Sequence, residues 1–214
     1  MNARCYVGLD LGQATDFSAL VVLRTLLAEP AVTSDSCAPL YEVPHLQRFP
    51  RGMAYPKLVA SVLGLLATPA LQGSVLVVDR TGVGRAVTDM LTASVHAGTS
   101  CSVCAVTITS GQAVKRADAG GLQVPKKDLV LALEGLVRGH RLSIASSLPT
   151  APVLIRELGS FRRTMSKHGR LAFGASGKGH DDLVLALALA GWVAEMTRRS
   201  ELVLFPQEGF RTRA

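Results

Sequence analysis

The segment Gly8-Leu9-Asp10-Leu11-Gly12 places a single carboxylate inside an apolar run near the start of the 214-residue chain. Two other apolar runs also carry acids: Val75-Leu76-Val77-Val78-Asp79 ends in one, and the pair Asp181-Asp182 precedes Leu183-Val184-Leu185-Ala186. Removing a carboxylate from water costs several kcal/mol unless it is paired or bound to a cation. These three contexts therefore predict one shared cation site, formed by Asp10, Asp79, Asp181 and Asp182.

Length and composition favour one globular domain. A chain of 214 residues that is 48% hydrophobic and 18% charged can bury one sizeable core. We expect residues 1–200 to form this domain and residues 201–214 to form a C-terminal tail. The formal net charge of +7 favours a polyanionic partner such as nucleic acid, because basic surfaces attract phosphates.

The sequence has neither an apolar stretch long enough for a membrane span nor the pattern of a signal peptide, so we expect a cytosolic protein. Cys101 and Cys104 have the spacing of metal ligands, and His96 is near them in sequence. No second cysteine pair follows, and the residues after Cys104 have a strand pattern. We interpret both cysteines as structural residues.

Hydrophobic patterning predicts a three-strand antiparallel meander followed by alternating strands and helices. The predicted strands span residues 4–11, 17–26, 41–49, 74–79 and 102–109. Helices are expected at residues 56–66, 85–93, 125–138, 151–158 and 181–199. A β-hairpin is expected from residues 160–166 and 170–174. The last helix is apolar almost all round at its start, so it should be buried.

This order of elements and acids resembles the ribonuclease H-like fold, and the motifs are similar to those of the nuclease domain of the large terminase subunit of tailed bacteriophages. The most specific motif is His180-Asp181-Asp182-Leu183-Val184, which follows the Asp10 and Asp79 motifs in order. Residues 124–129 and Glu157-Leu158 also resemble that family. The resemblance covers nearly the whole chain. It implies an α/β fold: a central mixed sheet with the meander, helices on both faces and an added β-hairpin.

The resemblance implies a metal-dependent endonuclease that hydrolyses phosphodiester bonds of double-stranded DNA. Its expected role is to cut concatemeric viral DNA during genome packaging, in the cytoplasm of the host bacterium. The implied partners are an ATPase motor, a portal and a small terminase subunit. The motor of a complete large terminase needs a Gly-x-x-x-x-Gly-Lys-[Ser/Thr] loop, which this sequence lacks. The chain is expected to be an excised domain or a separately encoded nuclease that does not translocate DNA by itself.

Carboxylates suit this reaction because Mg²⁺ and Mn²⁺ prefer oxygen ligands. Two such cations, about 3.5 to 4 Å apart, can generate the nucleophile, neutralise developing charge and stabilise the leaving oxygen. We expect Asp10 to anchor both cations, Asp79 to hold one and Asp182 the other. Asp181 would share the ligation or orient a water molecule.

Each acid also has an alternative structural role. Asp181 or Asp182 could cap the last helix, which is the commoner role for Asp at a helix start. We expect one of the two to cap while the other ligates, and we favour Asp182 as the ligand. Asp79 could instead cap the following helix through its turn, and Asp10 could be a turn residue before Gly12.

Basic side chains near the acids should contact DNA. No acid interrupts the sequence from Phe161 to His180. This region supplies the candidates Arg162, Arg163, Lys167, Arg170, Lys178 and His180. Lys126 and Lys127 are ambiguous, because cations are disfavoured at a helix start. Aromatic residues make up only 5% of the chain, so contacts should be mainly to the DNA backbone, with weak sequence specificity.

Two other functions stay open at this point. A Holliday-junction resolvase-like nuclease would use the same fold with four acids. An actin-like or sugar-kinase-type phosphate-binding domain is suggested by residues 8–12 with Thr15 shortly after. Those proteins enclose a nucleotide between two such domains, whereas this chain supplies one.

Overall fold

The predicted meander forms one half of a mixed sheet. The computed structural model describes residues 4–12, 16–26, 38–82, 84–117, 120–165, 171–175 and 180–198. Within it, β1 (Cys5–Asp10), β2 (Ala19–Leu26) and β3 (Leu40–Arg48) pair antiparallel in chain order. All six residues of β1 are buried, because helices cover both faces of the sheet.

Parallel strands extend the sheet from the other side of β1. The strand β4 (Val75–Asp79) pairs parallel with β1, and β5 (Ser102–Thr109) pairs parallel with β4. The sequence did not predict three short strands at the two ends of the sheet: β6 (Lys115–Arg116) and β7 (Leu122–Pro125) lie beyond β5, and β8 (Leu142–Ile144) lies beside β3. These strands are too short to show a clear period. In the described part of the chain the order is β6-β7-β5-β4-β1-β2-β3-β8.

Helices cover the two faces of the sheet. One face packs against α1 (Tyr55–Leu66) and α2 (Gly84–Gly98). The other face packs against α3 (Lys126–Arg138), α4 (Ala151–Ser160) and α5 (Asp182–Arg198). The helix α2 continues five residues beyond the predicted end at residue 93, and α5 begins at Asp182 instead of residue 181. As expected, nearly all of the first turns of α5 are buried.

The predicted β-hairpin is present as β9 (Phe161–Met165) and β10 (Leu171–Ala175), which pair antiparallel outside the main sheet. The helix α4 leads directly into β9, and β10 contacts α3. The hairpin is therefore attached to the same face of the sheet as α5.

Both cysteines that have metal-ligand spacing lie in the core. Cys101 and Cys104 are buried free thiols, and Cys104 lies within β5. None of the helices in the described ranges is long and apolar enough to cross a membrane. Residues 201–214 lie outside the described residues, so the proposed division into a domain and a tail stays a prediction.

Candidate metal centre

Asp10 and Asp79 are the last residues of two adjacent parallel strands. Leu9 of β1 is in register with Val78 of β4, so the two acids follow this pair at the same edge of the sheet. Successive side chains of a strand alternate between its two faces, so Asp10, two residues after Gly8, lies on the same face as Gly8. The same alternation places Asp79 on the face of Val77, which packs in the core beneath α5. Both carboxylates therefore point to the α5 side of the sheet.

The start of α5 brings the second pair of acids to this edge. The backbone of Gly8 lies against that of Ala186, since an added Cβ at Gly8 would be 1.8 Å from the Ala186 carbonyl oxygen. Asp182 is about one helical turn before Ala186. Asp182 is buried, whereas Asp181 is partly exposed. The structure thus brings together all four acids that the sequence singled out.

The pKa of the Asp10 carboxyl is raised well above its usual range. Burial is the largest cause, followed by the charges of Asp79, Asp182 and Asp181. Such repulsion between like charges arises only where carboxylates lie close together. Positive charge at the centre, from a proton or a bound cation, therefore relieves this repulsion.

Asp79 combines a local role with its place in the centre. Its Oδ1 accepts hydrogen bonds from the Thr81 amide, at 2.8 Å, and from the Thr81 hydroxyl, at 2.5 Å. Burial raises the pKa of the Asp79 carboxyl, and these two hydrogen bonds lower it in part. The turn therefore fixes the orientation of a carboxylate that still faces the other acids.

The expectation that Asp181 or Asp182 caps α5 is wrong. The amides of Leu183 and Val184 donate instead to Oε2 of Glu157, at 3.1 and 3.3 Å. Glu157 lies on α4, where it continues the buried stripe of Ala151 and Leu154. An acid at such a buried helical position is a signal that the sequence carried, although no role was assigned to it.

Lys126 is a cation of the centre that sequence reasoning left ambiguous. It is the first residue of α3, and its Nζ lies 3.5 Å from Oδ2 of Asp181. Its charge also lowers the pKa of both Asp10 and Asp79, against the larger effect of burial. A lysine at the positive end of a helix dipole is unfavourable by itself. The neighbouring carboxylates explain its position.

A second positive group borders the acids. Arg48, the last residue of β3, has its Nη2 3.4 Å from Oδ2 of Asp182. The guanidinium groups of Arg48 and Arg51 lie 4.7 and 4.3 Å from the centroid of the Phe17 ring. Arg51 Nη2 is 2.7 Å from Nε2 of His180, whose ring meets Phe17 edge-on. These contacts hold His180, the residue before Asp181, beside the acids.

The other DNA-binding candidates are only partly described. Arg162 and Arg163 lie in β9, opposite Gly174 and Phe173 of β10. Lys167, Arg170 and Lys178 lie outside the described residues. The contact between β10 and α3 connects the hairpin to the helix that carries Lys126.

The donor set fits a hard divalent cation, because the acids supply only oxygen ligands. Oδ2 of Asp182 is buried and has no hydrogen-bond partner. A bound cation would satisfy this atom. Within the described ranges, however, no group of three or more His, Cys, Asp or Glu side chains has the placement needed to hold an ion. The fit therefore rests on the donor chemistry and on the unsatisfied oxygen.

The fold and the acidic edge define an α/β domain of the ribonuclease H-like class with a carboxylate centre. Among solved structures, the large terminase nuclease from thermophilic phage G20c with bound magnesium matches 89% of this chain and 81% of its own, with a TM-score of 0.61 and 22% identity. The Thermus phage P74-26 large terminase nuclease domain matches 88% and 78%, with a TM-score of 0.57 and 20% identity.

A more distant match is the manganese-soaked terminase nuclease domain of human cytomegalovirus. It covers 94% of this chain and 86% of its own, with a TM-score of 0.56 and 10% identity. No protein-family model matches the chain, and no curated protein matches it. The chain has the fold of the large terminase nuclease domains, which confirms the fold that the sequence motifs implied.

Proposed function

We propose that this chain is a divalent-cation-dependent endonuclease that hydrolyses phosphodiester bonds of double-stranded DNA. The observation that carries the proposal is the burial of Asp10 beside the charges of Asp79, Asp181 and Asp182 at one edge of the sheet. A group of carboxylates in that setting is unfavourable unless positive charge neutralises it. The likeness to a terminase nuclease with bound magnesium and to one soaked with manganese supports the same chemistry.

Asp10, Asp79 and Asp182 would hold two cations, Mg²⁺ or Mn²⁺, with Asp181 sharing the ligation. Bound cations of this kind generate a nucleophile, neutralise the phosphate and stabilise the leaving oxygen. The side chains have separate tasks. Asp10 would anchor both cations, and the Thr81 hydrogen bonds hold Asp79 in one orientation.

The cations of the chain itself complete the charge balance. Lys126 lies beside Asp181, and Arg48 lies beside Asp182. They lower the repulsion among the acids. They also provide positive charge next to the position that an anionic phosphate would occupy. An anionic substrate could therefore approach the acidic centre, because these positive groups offset part of the negative charge of the acids.

DNA would be bound mainly through its backbone. Arg162, Arg163, Lys167, Arg170, Lys178 and His180 are proposed to contact phosphates. Arg51 adds a cationic group directly at His180, at 2.7 Å. The net charge of +7 and the 5% aromatic content favour backbone contacts over base stacking.

The proposed biological role is the cutting of concatemeric viral DNA when genome packaging starts and ends, in the cytoplasm of a host bacterium. An ATPase motor, a portal and a small terminase subunit are the proposed partners. The support for this setting is the likeness to terminase nuclease domains of several phages and of cytomegalovirus.

The test is cleavage of supercoiled plasmid by the purified chain with Mg²⁺, with Mn²⁺ and with chelator. Asp10→Ala, Asp79→Ala and Asp182→Ala should abolish cleavage while leaving DNA binding largely intact. Asp89→Ala is the matched control, because Asp89 is exposed on α2. Full activity in any of the three acid variants would refute the assignment of that acid. Nucleotide binding without cleavage under any cation would favour the phosphate-binding alternative.

A further inference from the structure

We propose that Glu157 is a positioning residue of the acidic centre, which caps α5 from the neighbouring helix and leaves the Asp182 carboxylate free to bind a cation. The inference rests on the proposed nuclease function, because it takes Asp182 to be a cation ligand. It adds a residue from outside the acid motifs.

The first step concerns the hydrogen-bond partners of the amide groups at the start of α5. The first N–H groups of a helix lack partners within the helix, and a side-chain oxygen of the N-cap residue normally accepts from the second or third. In α5 these are the amides of Leu183 and Val184, and both donate to Oε2 of Glu157. The carboxylate of Glu157 therefore performs the capping that Asp181 would ordinarily perform.

The second step is the charge on Glu157 itself. Only 6% of Glu157 is exposed, so its charge needs a partner. Its Oε1 accepts a hydrogen bond from Nη2 of Arg48. The same Nη2 atom lies 3.4 Å from Oδ2 of Asp182. Arg48 therefore lies between the two carboxylates, and the ring of Phe17 packs against its guanidinium group.

These contacts determine what Asp182 can do. Because the amides of the first turn are already bonded, the Asp182 side chain is not needed as a cap. Nη2 of Arg48 donates a hydrogen bond to Glu157 and makes a longer ion pair, at 3.4 Å, with Asp182. Its buried Oδ2 is left without a hydrogen-bond partner. A bound cation would supply the partner that this oxygen lacks.

The chain offers a matched control on the same helix. Glu195 is also 6% exposed and also pairs with an arginine, at 2.9 and 3.0 Å from the two terminal nitrogens of Arg141. It accepts a further hydrogen bond from Tyr41 at 2.9 Å. Glu195 lies toward the C-terminal end of α5, away from the acids. Its replacement tests the loss of a buried pair without touching the centre.

The experiment compares the full chain with Glu157→Ala, Glu157→Gln and Glu195→Ala. Calorimetry measures Mn²⁺ binding, and amide hydrogen exchange in chelator measures protection of the first turn of α5. Loss of a residue that orients a ligand typically weakens metal affinity about 10- to 100-fold, which is the effect expected for Glu157→Ala. Exchange at Leu183 and Val184 should also become faster. Glu195→Ala should lower stability without changing the affinity for Mn²⁺.

Glu157→Gln separates the two contacts and serves if Glu157→Ala does not fold. The amide oxygen of glutamine can still accept from the helix, so exchange protection should persist. Arg48 would then pair with Asp182 alone and compete with the cation, so Mn²⁺ should bind about tenfold more weakly. If the folded Glu157 variants bind Mn²⁺ as tightly as Glu195→Ala does, Glu157 is not a positioning residue.

Failure of the two proposals can be distinguished. A wild-type chain that neither binds Mn²⁺ nor cuts plasmid overturns the proposed function and, with it, the role of Glu157. A wild-type chain that binds Mn²⁺ and cuts, while the Glu157 variants bind Mn²⁺ equally well, overturns the positioning role alone.

Discussion

The backbone of Gly8 in β1 lies directly against the backbone of Ala186 in α5. A Cβ atom at Gly8 would be 1.8 Å from the Ala186 carbonyl oxygen and 3.2 Å from the Ala190 amide nitrogen. This close approach sets the height of the helix above the sheet. Because Asp10 is two residues from Gly8 and Asp182 is about one helical turn from Ala186, the same contact helps to place the two acids at one edge of the sheet.

Gly8→Ala should therefore disrupt the packing of α5. The added methyl group would meet backbone atoms, which cannot move aside as the end of a flexible side chain can. We therefore expect the free energy of unfolding to fall by about 3 kcal/mol or more, which is at or above the upper end of the cost of overpacking a core. Urea denaturation measures this change. Gly64→Ala is the control, because Gly64 is an exposed helical glycine with nothing within 4 Å of its added Cβ. It should gain about 0.5–1 kcal/mol. Equal stability of the two variants would contradict the close packing.

Asp10→Asn should stabilise the chain at neutral pH in chelator. Burial and the neighbouring acids raise the pKa of the folded-state carboxyl above the ordinary value of 3.8. The folded state then binds more protons than the unfolded state, so stability falls as the pH rises from about 4 through the folded-state pKa. Asparagine carries no charge at any pH and therefore removes this loss. Denaturation at pH 4 and pH 7 measures it, and a wild-type chain that gains stability relative to the variant over this range would contradict the prediction.

Lys126→Met should tighten the binding of Mn²⁺. The ammonium group lies 3.5 Å from Oδ2 of Asp181, so it competes with a metal cation for the negative charge of the acids. The pair is partly exposed, so the effect should be modest, about 3- to 10-fold in the dissociation constant. Calorimetry with Lys127→Met provides the control, since the Lys127 amine donates to Gln112 at 2.7 Å. Weaker binding in Lys126→Met than in the control would show that the lysine supports the cation.

The double variant Arg162→Ala/Arg163→Ala should bind duplex DNA with a weaker dependence on salt. Each phosphate contact that is lost reduces the slope of log K against log salt by about 1, so the expected change is about 2. Binding is measured in chelator to prevent cleavage. Arg138→Ala is the control, because Arg138 is exposed at the C-terminal end of α3, opposite Lys126. If the slope of log K against log salt is unchanged in the double variant, Arg162 and Arg163 do not contact DNA phosphates.

Sequence patterning predicted the main strands, the helices and the acids of the centre, because each of these signals is local. A carboxylate at the end of an apolar strand, such as Asp79, is visible without knowing what packs against it. The β-hairpin and the buried character of α5 were also visible in this way. The short strands β6, β7 and β8 were not, because they span too few residues to show a period and depend on their neighbours for pairing.

The tertiary structure decided how the centre is supported. Glu157 bonds an arginine 109 residues away, and its other oxygen caps a helix that begins 25 positions later. Lys126 reaches Asp181 from a different helix. A local pattern cannot show such contacts, because they depend on which faces of distant elements pack together. The sequence by itself determined which acids are present and where each lies on its element; only the packing of α3, α4 and α5 decided which side chains cap, neutralise and orient them.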